Sequence, residues 1–198
     1  MSVHSRAGIV LAGGFARRFG DRDKTLAEFR GRPLIVHAVE PLRAVVERVV
    51  VSCRREQRPA FEPVLSDVEY RPDPTPDAGP LAGLDAALEG LEAETVAVTS
   101  ADRPLVPAGL YRSLLDSLSK EGVVIRADGI DQPVPAVFET RALRRAVTEQ
   151  RSNGTRRLRA VLDALDCTTL DGETITRQWG EDVLADVNTQ ADLDRLEE

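Results

Sequence analysis

Short apolar runs alternate along the chain with stretches in which apolar positions recur every three or four residues. The first run, Ala7-Gly8-Ile9-Val10-Leu11-Ala12, stops at Gly13-Gly14 and carries no polar position. A strand covered on both faces has this continuous character, whereas a half-solvated strand alternates. Pro33 opens the next element. Leu34, Val36-His37-Ala38-Val39 and Leu42 follow with helical spacing, and proline's fixed φ suits the first helical turn. His37 falls inside this pattern and reads as a packing residue. Arg48-Val49-Val50-Val51-Ser52 predicts a second strand, Val68-Glu69-Tyr70-Arg71 a short third, and Thr95-Val96-Ala97-Val98-Thr99 a buried one ending at Ser100-Ala101-Asp102. Between the last two, Pro72, Pro74, Pro76 and Pro80 predict a loop, and Leu81, Leu84, Leu88 and Leu91 mark a helix.

Strands and helices in this rhythm imply βαβ crossovers. The expected fold is α/β and Rossmann-like, a mostly parallel central sheet with helices on both faces. The later half is more mixed. Gly122 to Arg126 and Val134 to Phe138 read as strands, Arg141 to Gln150 and Thr155 to Leu165 as helices, Val183 to Val187 as a last strand and Ala191 to Leu196 as a terminal helix. The 198 residues show no repeat, linker or low-complexity tract, so one domain over 1–198 is expected.

Charge and composition narrow the function. A net charge of -7 argues against a general nucleic-acid binder, which needs a basic face. No apolar run approaches the roughly 20 residues of a membrane span, and the first residues lack the apolar core of a signal peptide, so a cytoplasmic protein is expected. Cys53 and Cys167 lie far apart with no ligand-spaced histidine and read as buried thiols. Lys24 and Lys120 are the only lysines among many arginines. That bias suits either a salt-rich cytoplasm or a GC-rich genome.

In open α/β sheets, ligands bind beyond the carboxyl ends of the strands. The first such end here reads Leu11-Ala12-Gly13-Gly14-Phe15-Ala16-Arg17-Arg18-Phe19-Gly20-Asp21-Arg22-Asp23-Lys24. It fits neither G-x-G-x-x-G nor the P-loop pattern. It nevertheless carries the ingredients of a triphosphate site. Gly13 and Gly14 let backbone N–H groups approach an anion, Gly20 permits a turn, and Arg18 and Lys24 supply positive charge. A lysine kept where arginine is the rule suggests a compact point charge in a place a flat guanidinium does not fit.

L-A-G-G-x-x-x-R-x-G-x-x-D-K, followed by Gly31-Arg32-Pro33-Leu34, resembles the signature of the molybdenum cofactor guanylyltransferase family and its nucleotidyltransferase relatives. Gly79-Pro80-Leu81-Ala82-Gly83, Asp102-Arg103-Pro104, Gln132-Pro133-Val134-Pro135-Ala136 and Asp186-Val187-Asn188-Thr189 resemble that family's later motifs, in order. Four positions depart from the family's frequent residues: Ala16, Phe19, Asp186 and Gln190. The resemblance implies a Mg²⁺-dependent transfer of GMP from GTP to the phosphate of molybdopterin. It also implies transient contact with proteins that supply molybdopterin or mature molybdoenzymes. Related enzymes that use CTP or cobinamide phosphate, and a nucleotide-binding module without catalysis, are the alternatives.

The same resemblance assigns roles. Leu11, Ala12, Gly13 and Gly14 hold phosphates and base, while Arg18 and Lys24 neutralise the triphosphate. Asp102, after a buried strand, is a natural Mg²⁺ ligand; its other reading is a cap for a helix starting near Pro107. An Asp in the Pro-rich loop reads the base, with Asp73 preferred to Asp77, ahead of Gly79. Asp186 or Asn188 completes the metal shell or meets the acceptor, and Asn188 is also placed to cap the terminal helix. Gln132, Asn153, Gly154, Arg156 and Arg157 are acceptor candidates, with Asn153-Gly154-Thr155 expected at a helix N-terminus. Arg54 and Arg55 read as surface residues.

Overall fold

The computed structural model of the protein describes residues 5–14, 23–73 and 78–198. In chain order the main elements are β1 (Arg6–Leu11), β2 (Glu28–Phe29), β3 (Arg32–Pro33), α1 (Leu34–Arg43), β4 (Arg48–Cys53), α2 (Arg58–Phe61), β5 (Glu69–Pro72), α3 (Pro80–Leu88), β6 (Thr95–Ser100) and α4 (Ala108–Asp116). They continue with β7 (Gly122–Ala127), β8 (Ile130–Glu139), α5 (Thr140–Ser152), β9 (Cys167–Asp171), α6 (Gly172–Trp179) and α7 (Gln190–Glu197). Three short 3₁₀ turns, Lys24–Leu26, Leu158–Ala164 and Glu181–Leu184, complete the path.

Seven strands form one sheet in the order β5-β4-β1-β6-β8-β7-β9. All neighbours are parallel except β8, which runs antiparallel to β6 and β7. The apolar runs are buried on both faces, as their continuity predicts. Val10, Val49, Val51 and Val137 face α1 and α4, whereas Ile9, Val50, Val98 and Phe138 face α3 and α5. Each fully buried Val, Leu or Ile contributes roughly 1.5–3 kcal/mol relative to exposure.

The chain moves outward from β1 to β4 and β5 and then returns through α3 to β6 on the other side of β1. The switch of direction between β1 and β6 opens a crevice at the carboxyl edge of the sheet. Backbone bonds continue the ladders past the strand ends there: Ala12 N to Ser52 O at 2.8 Å, Asp73 N to Cys53 O at 2.8 Å and Ala101 N to Leu11 O at 3.0 Å. The loops that leave this edge therefore start from fixed positions.

Three expectations need correction. Val183 to Val187 is no strand: Glu181–Leu184 is a 3₁₀ turn, and the segment joins the edge loops through Val187 N to Asp102 O at 2.8 Å. Val183 and Val187 are instead buried in two separate apolar clusters. Thr155 to Leu165 is not an α-helix but the 3₁₀ turn Leu158–Ala164, which buries Val161. The last strand is Cys167–Asp171, the parallel edge partner of β7. Cys53 is buried, as expected, while Cys167 on that edge strand is only half-buried; desolvation pushes each thiol up to about 11.

Candidate active site

The crevice between β1 and β6 holds a cavity of about 420 Å³, with Leu11, Gly13 and Gly14 along one wall. Ser52, Asp73, Gly79, Pro80 and Gly83 form another side, and Ser100, Asp102 and Leu158 close it. Ala12 is buried behind the glycines and does not line the cavity. Arg18 and Asp77 fall outside the described residues.

Lys24 starts the 3₁₀ turn that Asp23 caps, its carboxylate accepting from Thr25 N at 3.0 Å. From there Lys24 Nζ reaches Asp102 Oδ2 at 2.9 Å and Asn188 Oδ1 at 3.3 Å. Three motifs far apart in the chain thus meet at one ammonium group. Asp102 Oδ1 accepts from Ser100 Oγ at 2.5 Å, so both carboxylate oxygens are oriented. Asp102 does not cap α4, whose N-cap is Pro107. Nor does Asn188 cap α7. Thr189 does, in a reciprocal capping box with Asp192, whose Oδ2 also accepts from Asn188 N at 2.8 Å. Two oxygen donors, from Asp102 and Asn188, therefore converge on a cation.

Asp73 leaves β5 at the far side of the cavity. Its Oδ1 accepts from Ser52 Oγ at 2.9 Å. Burial holds its carboxyl above the usual range, against the opposing pull of the Ser52 hydroxyl and Arg54. Glycine is required opposite it for close approach. A Cβ at Gly13 would fall on the Asp73 carboxylate, and one at Gly83 would lie 2.6 Å from Ser52 Oγ and 3.0 Å from Asp73 Oδ1.

A second cavity of about 630 Å³ is lined by Arg103, Gln132, Asp186, the β7–β8 turn and the start of α6. Arg103 is almost fully buried and pairs with Asp186 (Nε to Oδ1 2.7 Å), while its Nη1 donates to Leu184 O at 2.9 Å. Gln132 and Asp186 line this second cavity. Burial raises the Asp186 carboxyl, Arg103 opposes that, and the charges of Asp102 and Lys24 also reach it, so Asp186 stands between this cavity and the Lys24 cluster. Asn153 is exposed and lines neither cavity. The expected helix N-terminus there is a C-terminus: Asn153 is the C-cap of α5, and Gly154 follows at φ +76°. The arginine after it does approach the site. Arg156, exposed like Arg157, donates from Nε to Ala78 O at 3.2 Å, beside Gly79.

Arg54 corrects another expectation. Its side chain is 13% exposed, and it donates to Gly13 O, Gly14 O and the Asp23 carboxylate. Arg55 is exposed, as read. It also donates to Glu56, two residues on. No spacing rule points to Arg54, because its site partners are two backbone carbonyls and Asp23, far off in the chain.

The model of the MobA-like NTP transferase domain matches residues 8–169. A probable molybdenum cofactor guanylyltransferase of Haloferax mediterranei is 38% identical over 194 residues, covering 96% of this chain and 92% of that protein. A counterpart from Natronomonas pharaonis is 31% identical, with 98% and 97% covered. Among solved structures, molybdopterin-guanine dinucleotide biosynthesis protein A from Archaeoglobus fulgidus shares the fold with a TM-score of 0.78 at 23% identity, over 97% of this chain and 96% of that one. A 4-diphosphocytidyl-2C-methyl-D-erythritol synthase from Anaerococcus prevotii shares it with a TM-score of 0.77 at 12% identity, over 98% and 96%. A doubly wound sheet with a glycine-lined crevice at its switch point is the framework of a nucleotidyltransferase. The chain belongs to the MobA-like NTP transferase family.

Proposed function

We propose that the protein is a Mg²⁺-dependent guanylyltransferase that transfers GMP from GTP to the phosphate of molybdopterin and releases pyrophosphate. The observation that carries this reading is the meeting of Lys24, Asp102 and Asn188 at the mouth of a glycine-lined crevice. An oxygen of the acceptor phosphate attacks the α-phosphorus of GTP; one P–O bond forms there, the α–β P–O bond breaks, and pyrophosphate departs with its electrons. Such transfer depends on positioning and charge stabilisation rather than on covalent chemistry by the protein.

Each residue has a part in that work. Amides at Gly13 and Gly14 receive phosphate oxygens, and Arg18 and Lys24 offset their charge. A cation about 4 Å from a phosphate oxygen contributes on the order of 4 kcal/mol at an effective dielectric of 20. Asp73 accepts from the ring N–H and amino group of guanine, at the end of the crevice marked by Gly79. Gln132 and Asp186 in the second cavity serve the acceptor. The donor set suits Mg²⁺, which takes one or two carboxylates and fills its shell with phosphate oxygens and water. Asp102 would hold it, with Asn188 beside it. Among the described residues no cluster of three or more His, Cys, Asp or Glu offers a cage independent of the nucleotide. Held there, Mg²⁺ would supply positive charge to offset that of the triphosphate and the leaving pyrophosphate.

No described helix is long and apolar enough to cross a membrane. A cytoplasmic location and transient contact with molybdopterin-supplying or molybdoenzyme-maturation proteins complete the proposal. Thermal unfolding with Mg²⁺ and each of the four nucleoside triphosphates tests the nucleotide half of the proposal. At 100 times its Kd, a ligand adds about 2.7 kcal/mol, which raises Tm by roughly 5–11 °C in a chain of this size. The expected result is that shift with GTP alone. A shift with CTP alone would overturn the guanine assignment, and none with any nucleotide would overturn the whole reading.

A further inference from the structure

The segment after β4 reaches both ends of the glycine-rich loop at once. Arg54 Nη1 donates to Gly13 O at 3.1 Å and Gly14 O at 2.9 Å, and its Nη2 meets Asp23 Oδ2 at 3.0 Å. Gln57, 3% exposed, donates from Nε2 to Ala12 O at 3.1 Å and to Asp23 Oδ2 at 2.7 Å. Its Oε1 accepts from the Arg54 backbone N–H at 2.7 Å, which ties the Gln57 side chain to the main chain that carries Arg54. The other oxygen of Asp23 accepts from Thr25 N at 3.0 Å and Thr25 Oγ1 at 2.6 Å, at the turn that launches Lys24.

Peptide geometry gives these contacts a direction. In a trans peptide the carbonyl and the following N–H point to opposite sides. The only cis bond among the described residues is Val134-Pro135. Drawing the Ala12 and Gly13 carbonyls toward Gln57 and Arg54 therefore turns the Gly13 and Gly14 N–H groups the other way. Successive N–H groups facing one side form an anion-binding concavity. An arginine suits the task because its planar fork serves two carbonyls and a carboxylate together, which a single ammonium does less well.

We propose that Arg54, Gln57 and Asp23 are positioning residues for the nucleotide: they bracket the glycine-rich loop and hold its amides, and Lys24, in the arrangement that receives the triphosphate. The proposal rests on the nucleotide reading of the crevice. It predicts an effect on nucleotide affinity, with turnover at saturation largely kept. Kd for GTP with Mg²⁺ by calorimetry, together with KM and kcat, is measured for Arg54→Ala, Gln57→Leu, Asp23→Asn and the Arg54→Ala/Asp23→Asn double variant, each checked for folding by circular dichroism. Loss of a charge-assisted hydrogen-bond set is expected to weaken binding about ten- to a hundredfold, with kcat changed less than about threefold because no bracket residue touches the reacting atoms. Arg54→Lys recovers part of the affinity, and the double variant is no weaker than Arg54→Ala, since both changes release the same loop. The exposed Arg55→Ala binds as the wild type. If Arg54→Ala does not fold, Arg54→Lys and Asp23→Asn carry the test. Folded bracket variants that bind GTP as tightly as a binding-competent wild type overturn this proposal alone. A wild type that binds no nucleotide overturns the functional reading and this proposal with it.

Discussion

Asp73 is held where a carboxylate is uncomfortable, against Gly13 and Gly83 at the bottom of the crevice. Burial raises its carboxyl despite Ser52 and Arg54, so the folded state favours its protonated form more than the unfolded chain does. A raised carboxyl contributes stability at acid pH that is lost as pH rises through the folded value. At neutral pH the charged form is therefore a net cost to the fold, as expected of a carboxylate kept for the base recognition proposed above. Asp73→Asn is expected to raise Tm at pH 7, with the gain shrinking toward zero as pH falls and Asp73 protonates. The same variant is expected to lose preference for GTP over the other nucleotides; unfolding scans at several pH values and competition binding check the two parts. Asp73 was legible in the sequence because it precedes a motif that resembles a known one, as were Lys24 and Asp102. Arg54 was not. Its carbonyl partners, Gly13 and Gly14, sit on an adjacent strand's loop and leave no trace in its own sequence neighbourhood.

Among elements, the terminal helix shows how a cap serves the site. Thr189 and Asp192 close a capping box, and Asp192 also fixes the backbone of Asn188 beside Lys24. Thr189→Ala is expected to cost about 1 kcal/mol, a fall in Tm of roughly 2–4 °C for a chain of this size, measured by calorimetry without nucleotide. The apolar runs placed β1, β4 and β6 because a buried parallel strand needs no partner to be recognised. Pattern alone failed at the carboxyl-terminal end. Val183 and Val187 resemble strand residues, but each fills a different apolar cluster. The β7–β8 hairpin carries its own local signal: Asp128-Gly129, both at positive φ, is the turn that reverses β8. Cys167–Asp171 ends at the N-cap of α6, where Asp171 accepts from Thr174 N at 3.0 Å, and that Asp-Gly-x-Thr stretch was readable as a helix start.

Over the whole molecule, alternation of strand and helix revealed the class of sheet but not the strand order, since local periodicity says nothing about which strands are neighbours. The order matters because it puts the switch point between β1 and β6, and so brings the glycine-rich loop, Asp73 and Asp102 around one cavity. The central claim is that this cavity transfers a nucleotide rather than merely binding one. The direct measurement is Mg²⁺-dependent pyrophosphate release from GTP in the presence of molybdopterin, with wild type and Asp102→Ala side by side and the pterin product weighed by mass spectrometry. The account predicts one pyrophosphate per acceptor, a product heavier by one GMP unit, and a kcat lower by about two to three orders of magnitude in Asp102→Ala. A folded wild type that binds GTP yet releases no pyrophosphate with this acceptor would contradict it.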